Sequence, residues 1–354
     1  MKIAMAHVDL PNETKGGVAA QAHHLANTLV DRGHDVTMFT FSPAYDECRY
    51  SVRQLRSAAR LKRLRSFLLA GTMACIDFSP FDIVHTHGDN YLLWGVHPQV
   101  RTFHGSARDE AATARTLRRR VYQNLMTHLE AAGGRVADVS VGVSAATLRQ
   151  IPAVVKTIPC GVDVSRFHPG PKSDRPSVLF VGTHGGRKRG QFLADMFHAE
   201  VLPKVPNAEF WAVADKPIEG SAVINFGRVD FDRLTELFRQ AWVFSLLSTY
   251  EGFGVPYIEA MASGTAVVAS SNPGAVEVLD HGKFGVLAGD RDAGEYIAEL
   301  LLDEKKRAEY EALGFHRSRD FTWERVAGEY EQLYQRLLDS RSGAKVGRLG
   351  LERQ

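Results

Sequence analysis

Two carboxylates with seven residues between them, Glu251 and Glu259, stand in the run EGFGVPYIE. Gly252 and Gly254 fall between them, and Pro256 sits where a helix would begin, a place that tolerates its missing N–H. The apolar residues 241–247 predict a buried strand before the run. Gly264 is placed to end the helix, and residues 265–270 predict the next strand. A glycine loop at a helix start gathers free N–H groups and the positive end of the helix dipole, which suits an anion. Carboxylates would repel a phosphate, so this pair must face other chemistry: sugar hydroxyls or a developing cation. A helix cap with a solvated Glu is the plain alternative for the stretch taken alone.

A second anion-binding stretch is GTHGGRKRG, residues 182–190, directly after the apolar strand SVLFV at 177–181. Thr183 and two glycines precede three consecutive cations, Arg187, Lys188 and Arg189, just ahead of a helix. Arginine can fork onto two phosphate oxygens, while lysine acts as a point charge; an exposed basic turn is the other reading. Gly16 and Gly17 close the loop between a strand at 2–8 and a helix from about Val18 to Asp31, where a bare backbone can approach a ligand or simply turn. His85, His87 and His104 fall at strand ends, the carboxyl edge at which open α/β sheets bind ligands. The neighbours that would complete a zinc shell are not evident. Asp290, Arg291 and Asp292 form a DxD, but it follows a strand and turn late in the chain, and Asp290 reads as a turn or helix cap.

These residues need a frame. The strand, the helix to Asp31, Gly33 and the strand at 35–41 open a doubly wound parallel sheet. A nicotinamide fingerprint of the GxGxxG type is absent, which argues against a dehydrogenase. The length of 354 residues predicts two domains. A net charge of +2 gives no footing for nucleic acid. Cys48, Cys75 and Cys160 are odd in number and lack metal-ligand spacing, as free thiols of a reducing cytoplasm would be. No stretch approaches the roughly 18 apolar residues of a membrane span, and MKIAMAHVDL reads as a first strand and not a signal peptide. A cytoplasmic protein is expected. Between Arg49 and Arg65 there are seven basic residues and no acidic one, interleaved with leucines. Residues 49–69 read either as an amphipathic basic helix touching an anionic membrane or an anionic acceptor, or as a solvated helix face.

The run EGFGVPYIE, with the flanking SGTAVVAS, Glu277 and HGKFGVLAGD, resembles the signature of family 4 glycosyltransferases, retaining enzymes of the GT-B fold. The likeness extends to RTFHG, to IPCGVDVSRFHPG and to the last helix, beginning TWERVAGEYEQLY. It implies two Rossmann-like α/β domains facing across a cleft: an acceptor domain at 1–168, a linker at 169–176 and a nucleotide-sugar domain at 177–320. A helix at 321–340 would cross back to the first domain, and a mobile tail would occupy 341–354. The implied activity moves a sugar from a nucleotide-diphosphate donor, a UDP-, GDP- or ADP-sugar, to an acceptor hydroxyl with retention and without a metal or other cofactor.

The resemblance also assigns roles. Glu251 would contact the donor sugar, Glu259 the ribose hydroxyls, and His104 the sugar or reacting centre. Arg187, Lys188, Arg189 and the amides around Phe253, Gly254 and Val255 would hold the diphosphate, with Gly16, Gly17 and Thr183 nearby. The turn Gly227, Arg228, Val229 would meet the base. One departure stands out: where the family often has Arg after the first glycine and Lys before the last, this chain has Thr183 and Arg189. The cation that serves the leaving diphosphate is therefore open among Arg187, Lys188 and Arg189. Relatives approach lipid acceptors through basic surfaces of the first domain, which keeps a peripheral place at the inner membrane surface in view. The rival readings are an inactive GT-B module binding nucleotide sugar or a protein partner, and a nucleotide-sugar epimerase or phosphorylase on a related fold.

Overall fold

The computed structural model describes residues 1–11, 17–56, 65–112 and 116–342. Gly16, the middle of the basic stretch at 57–64 and the tail from 343 lie outside the described residues. The chain forms two compact units, Met1–Gly161 joined by Trp323–Gln354, and Val162–Thr322. The change of unit thus falls ahead of the linker expected at 169–176.

The first unit is built on a parallel sheet of seven strands: β1 Lys2–Ala6, β2 Asp35–Thr40, β3 Ser51–Gln54, β4 Ile83–Thr86, β5 Gln99–Phe103, β6 Val139–Gly142 and β7 Val154–Thr157. Their spatial order is β3-β2-β1-β4-β5-β6-β7. Successive side chains of a strand point to opposite faces, and β1 shows the consequence. Ile3 and Met5 join one apolar cluster with Ala22, Leu25 and Leu29 of the helix Val18–Asp31. Ala4 and Ala6 join another, with Phe39, Leu69 and Met73. Apolar side chains thus cover both faces of the sheet at β1, while the neighbouring strands β4 and β5 bury polar ones, His85, Thr86, Gln99, Arg101 and Thr102.

The last helix, Trp323–Ser342, belongs to this unit. Val326, Ala327, Tyr330, Leu333, Tyr334 and Leu337 recur at helical spacing and are buried in the first cluster. Glu331 accepts hydrogen bonds from Arg32 Nε at 2.8 Å and lies 2.6 Å from His34 Nε2. The chain leaves the unit at Gly161 and re-enters at Trp323, and the two are in contact. Gln21 clasps the Gly161 backbone with bonds of 2.9 and 3.0 Å, and a Cβ on Gly161 would stand 2.4 Å from the Trp323 ring.

The basic stretch is not one helix. Residues 51–54 form the edge strand β3, a helix runs from Arg65 to Met73, and the segment between them is not described. Of the described cations of the stretch, Arg49 pairs with Asp31, Arg65 pairs with Asp9, and Arg53 lies over Phe39. Three of its seven cations are therefore already partnered.

The second unit carries six parallel strands: β8 Ser177–Gly182, β9 Glu209–Ala214, β10 Val223–Asn225, β11 Val243–Leu246, β12 Ala266–Ser270 and β13 Val286–Ala288. Their order is β10-β9-β8-β11-β12-β13. The direction of winding reverses between β8 and β11, and ligands of open α/β sheets bind outside the carboxyl ends of such a switch. The two loops singled out above, 183–189 after β8 and 247–254 after β11, leave the sheet at that point.

Candidate active site

The loop after β8 is pinned on both flanks. Its His184 N–H donates to Asp215 after β9 at 2.8 Å, and Arg187 accepts through its carbonyl from Thr249 N–H at 2.9 Å. Inside the loop, the Thr183 hydroxyl donates to the Gly185 carbonyl at 2.8 Å, so Thr183 helps close the turn. Gly186 has φ +67° and Arg189 has φ +58°. A left-handed arginine is uncommon, and its effect is to part Arg189 from the two cations before it.

Arg187 and Lys188 converge on Glu251. Its Oε1 lies 2.8 Å from Arg187 Nη1 and 2.7 Å from Lys188 Nζ, and Glu251 is only 5% exposed. Burial pushes the Glu251 carboxyl upward, but Lys188 and Arg187 together outweigh it and hold the group below its ordinary range. Burial draws Lys188 downward against the pull of Glu251. Two cations on one carboxylate leave an excess positive charge in a buried setting, which is what an arriving diphosphate would need.

Arg189 is held elsewhere. It forms a two-pronged ion pair with Asp290, at 2.8 and 2.7 Å, and its guanidinium lies 3.7 Å over the Phe192 ring. Asp290, read from the sequence as a turn or helix cap, lies in a turn and is the partner of Arg189. The cap position of the helix Ala293–Leu302 belongs to Asp292, whose side chain makes no capping bond. Among the described residues no group of three or more His, Cys, Asp or Glu is placed to hold a metal. Arg189→Ala is expected to leave turnover within about threefold, since a largely exposed aspartate already satisfies it. An affinity for the donor diphosphate lowered more than tenfold would move the role back to Arg189.

The loop after β11 ends at Gly254, φ +98°, the cap of the helix Val255–Ala262, in which Pro256 takes the second position. A Cβ at Gly254 would stand 2.3 Å from the buried Tyr257 ring. Phe253 turns its ring inward against Phe321, leaving its backbone to face a ligand. The N–H groups of Phe253, Gly254 and Val255 meet no acceptor among the described residues, the condition of an anion-binding helix start. Glu259 lies on that helix. Burial raises its carboxyl to about 7, with Lys188 pulling the other way. The turn Gly227, Arg228, Val229 lies just ahead of Asp230, which caps the helix Phe231–Gln240.

Gly274 was not legible as a site residue. It stands in the first turn of the helix Pro273–Val278, capped by Asn272, and its N–H donates to the Glu251 carbonyl at 3.1 Å. A Cβ there would be 2.4 Å from the Phe253 carbonyl oxygen and 2.9 Å from that of Glu251. Those are backbone atoms and have nowhere to go. Gly274→Ala is expected to displace the 251–254 loop and lower kcat/KM at least about 100-fold, with the fold retained by circular dichroism. Near-normal kinetics would show that the loop tolerates the shift.

In the first unit, Gly17 has φ +63° and precedes the helix Val18–Asp31. His104 follows β5, and its Nε2 lies 3.0 Å from His87 Nδ1. His85 is enclosed: its Nδ1 lies 2.6 Å from the Tyr334 hydroxyl and its Nε2 2.8 Å from Thr102 Oγ1. The parallel sheet therefore brings the three histidines into one cluster.

Two Rossmann-like units, each a doubly wound parallel sheet, the second carrying a charged glycine-loop site at its switch point, define a glycosyltransferase of the GT-B type. The chain matches the family model described as Glycosyltransferase Family 4 over residues 15–166, and that described as Glycosyl transferases group 1 over residues 175–302. It belongs to this family. It is 27% identical to the phosphatidyl-myo-inositol mannosyltransferase of Mycolicibacterium smegmatis, over 94% of this chain and 93% of that one. Among solved structures it resembles sucrose-phosphate synthase from Thermosynechococcus elongatus, with a TM-score of 0.78 and 22% identity over 96% of this chain and 99% of that one. It also resembles HepE of Anabaena, solved with UDP and glucose, with a TM-score of 0.73 and 15% identity over 95% and 99%.

Proposed function

We propose that this glycosyltransferase takes its sugar from a nucleoside-diphosphate donor held by Arg187, Lys188 and the amides of Phe253, Gly254 and Val255, and passes it to a lipid-borne hydroxyl with retention. The observation that carries the donor half is the pair of cations on buried Glu251 beneath three free N–H groups. Such donors stabilise the departing diphosphate where its charge develops. In this reading Glu251 also favours positive charge on the sugar ring, Glu259 accepts from the ribose, and His104 serves the sugar-bearing end of the donor. HepE, solved with UDP and glucose, supports a uridine donor as the first to try.

The lipid half rests on the helix Leu117–Val136. Leu117, Val121 and Leu125 are 76, 61 and 50% exposed, Tyr122 is exposed beside them, and Arg118 and Arg120 are exposed on the same turns. No acidic residue occurs between 116 and 129. Leu92 and Trp94, in the segment after β4, are also exposed. Apolar side chains mixed with arginines suit an anionic bilayer surface, and the mannosyltransferase mentioned above is named for a lipid, phosphatidyl-myo-inositol. No helix among the described residues is long and apolar enough to cross a membrane.

Hydrolysis of a panel of UDP-, GDP- and ADP-sugars, with thermal-shift binding of each, tests the donor. Nucleotide binding without turnover of any donor in the presence of lipid extract would favour an inactive module. Sedimentation with phosphatidylglycerol vesicles tests the lipid half. Binding should be lost in the Leu117→Ser, Val121→Ser, Leu125→Ser variant, and equal recovery of both proteins would remove that surface from the proposal.

A further inference from the structure

The structure assigns a positioning role to His87: it holds His104 in the tautomer that leaves a donor, Nδ1–H, on the open side of the ring. The inference rests on the reading of His104 given above. His87 follows β4 and His104 follows β5, and the parallel pairing of these strands sets His87 Nδ1 3.0 Å from His104 Nε2, with ring centroids 5.3 Å apart. Two ring nitrogens at that distance need one proton between them, because two lone pairs or two N–H groups would repel.

Burial disfavours a charge on either ring. Burial, reinforced by His85, His104 and His7, keeps His87 well below the ordinary imidazole range, and burial with His7 nearby takes His104 to about 3. Two arrangements remain. If His104 Nε2–H donates, His87 must carry its proton on Nε2, an atom that is buried and has no partner among the described residues. An orphaned buried N–H is rarer in folded proteins than a bare acceptor. If His87 Nδ1–H donates, its Nε2 is only an unused lone pair, and His104 carries its proton on Nδ1. That nitrogen has no partner among the described residues and is free to donate to a sugar or leaving oxygen.

His87 is itself held. Its N–H donates to the Ala6 carbonyl at 3.0 Å, and its ring packs 4.4 Å from that of His85. His85 is fixed by Tyr334 and Thr102, and Thr102 Oγ1 lies 2.8 Å from the Tyr330 hydroxyl. At 7% exposure His87 is a positioning residue that touches no substrate.

The test compares His87→Leu, His87→Asn and His104→Ala in the full chain, with ¹⁵N-histidine spectra of the unaltered protein. The Leu variant should lose kcat by about 10–100-fold, the scale for partners that orient a functional histidine, with donor KM within about twofold. The Asn variant, which restores an amide N–H near the Nδ1 position, should recover most of it. His104 should show the Nδ1–H tautomer. An Nε2–H tautomer overturns the inference, as does wild-type kcat in the Leu variant when His104→Ala is impaired. Full activity in His104→Ala instead overturns the role of His104 itself. Should the Leu variant not fold, the Asn variant and the wild-type spectrum still decide.

Discussion

Glu251→Ala is expected to lower kcat by about 10²–10³, the scale for removing one electrostatic element of a preorganised site. The same change should leave nucleoside-diphosphate affinity unchanged or raised, because Arg187 and Lys188 lose the carboxylate they now share. Breaking a buried ion pair by removing one partner costs roughly 3–5 kcal/mol, so the variant should melt lower without ligand. Added nucleoside diphosphate, binding only the folded state, should restore part of that loss. Steady-state kinetics, calorimetry and thermal shift read the three effects separately. Wild-type turnover in the variant would remove Glu251 from the chemistry. Weakened nucleotide binding would mean that Glu251 orders the cations and does not restrain them.

The second large effect is acid lability confined to the first unit. His23, His85 and His104 are each drawn by burial to about 3, and His87 well below its ordinary range. In the unfolded chain these groups titrate near 6.5. Their folded values are depressed, so between about pH 6.5 and 3 the unfolded state holds more protons and stability falls as pH falls. At pH 5.5 His23, His85 and His104 together should have cost on the order of 4 kcal/mol, a large part of a typical domain's 5–15 kcal/mol. Hydrogen exchange at pH 7.5 and 5.5, corrected for intrinsic rates, should show β4, β5 and the helix Trp323–Ser342 losing protection while β8, β11 and β12 keep theirs. Equal protection of the first unit at both values would mean that its histidines are protonated without unfolding.

Much of the donor site is local in sequence. Glu251, Gly254 and Glu259 lie within nine consecutive residues, and a strand, a glycine turn and a helix start follow from residue types alone. The three cations are also adjacent, yet their division was not legible. It depends on two left-handed backbone positions, Gly186 and Arg189, and on Asp290 arriving from the far side of the second sheet. Asp290 reads as a turn or helix cap from its own neighbours, and it does lie in a turn, but nothing nearby in sequence points to Arg189. Gly274 was missed for a similar reason: only its approach to the Phe253 carbonyl makes a side chain there impossible. The basic stretch at 49–69 misled because its charges suggested one helix, whereas pairing with β2 drew residues 51–54 into the sheet edge.

The sequence by itself determined the alternation of strands and helices, the glycine-bearing loops and the supply of charges, because these depend on residues within a few positions of one another. The tertiary structure alone decided which charges meet. Parallel pairing of β8 with β11 opens the switch point at which Arg187 and Lys188 reach Glu251, and pairing of β4 with β5 sets His87 against His104. Those contacts form between residues far apart in the chain, and their geometry is fixed by strand register and backbone turns, which no local spacing encodes.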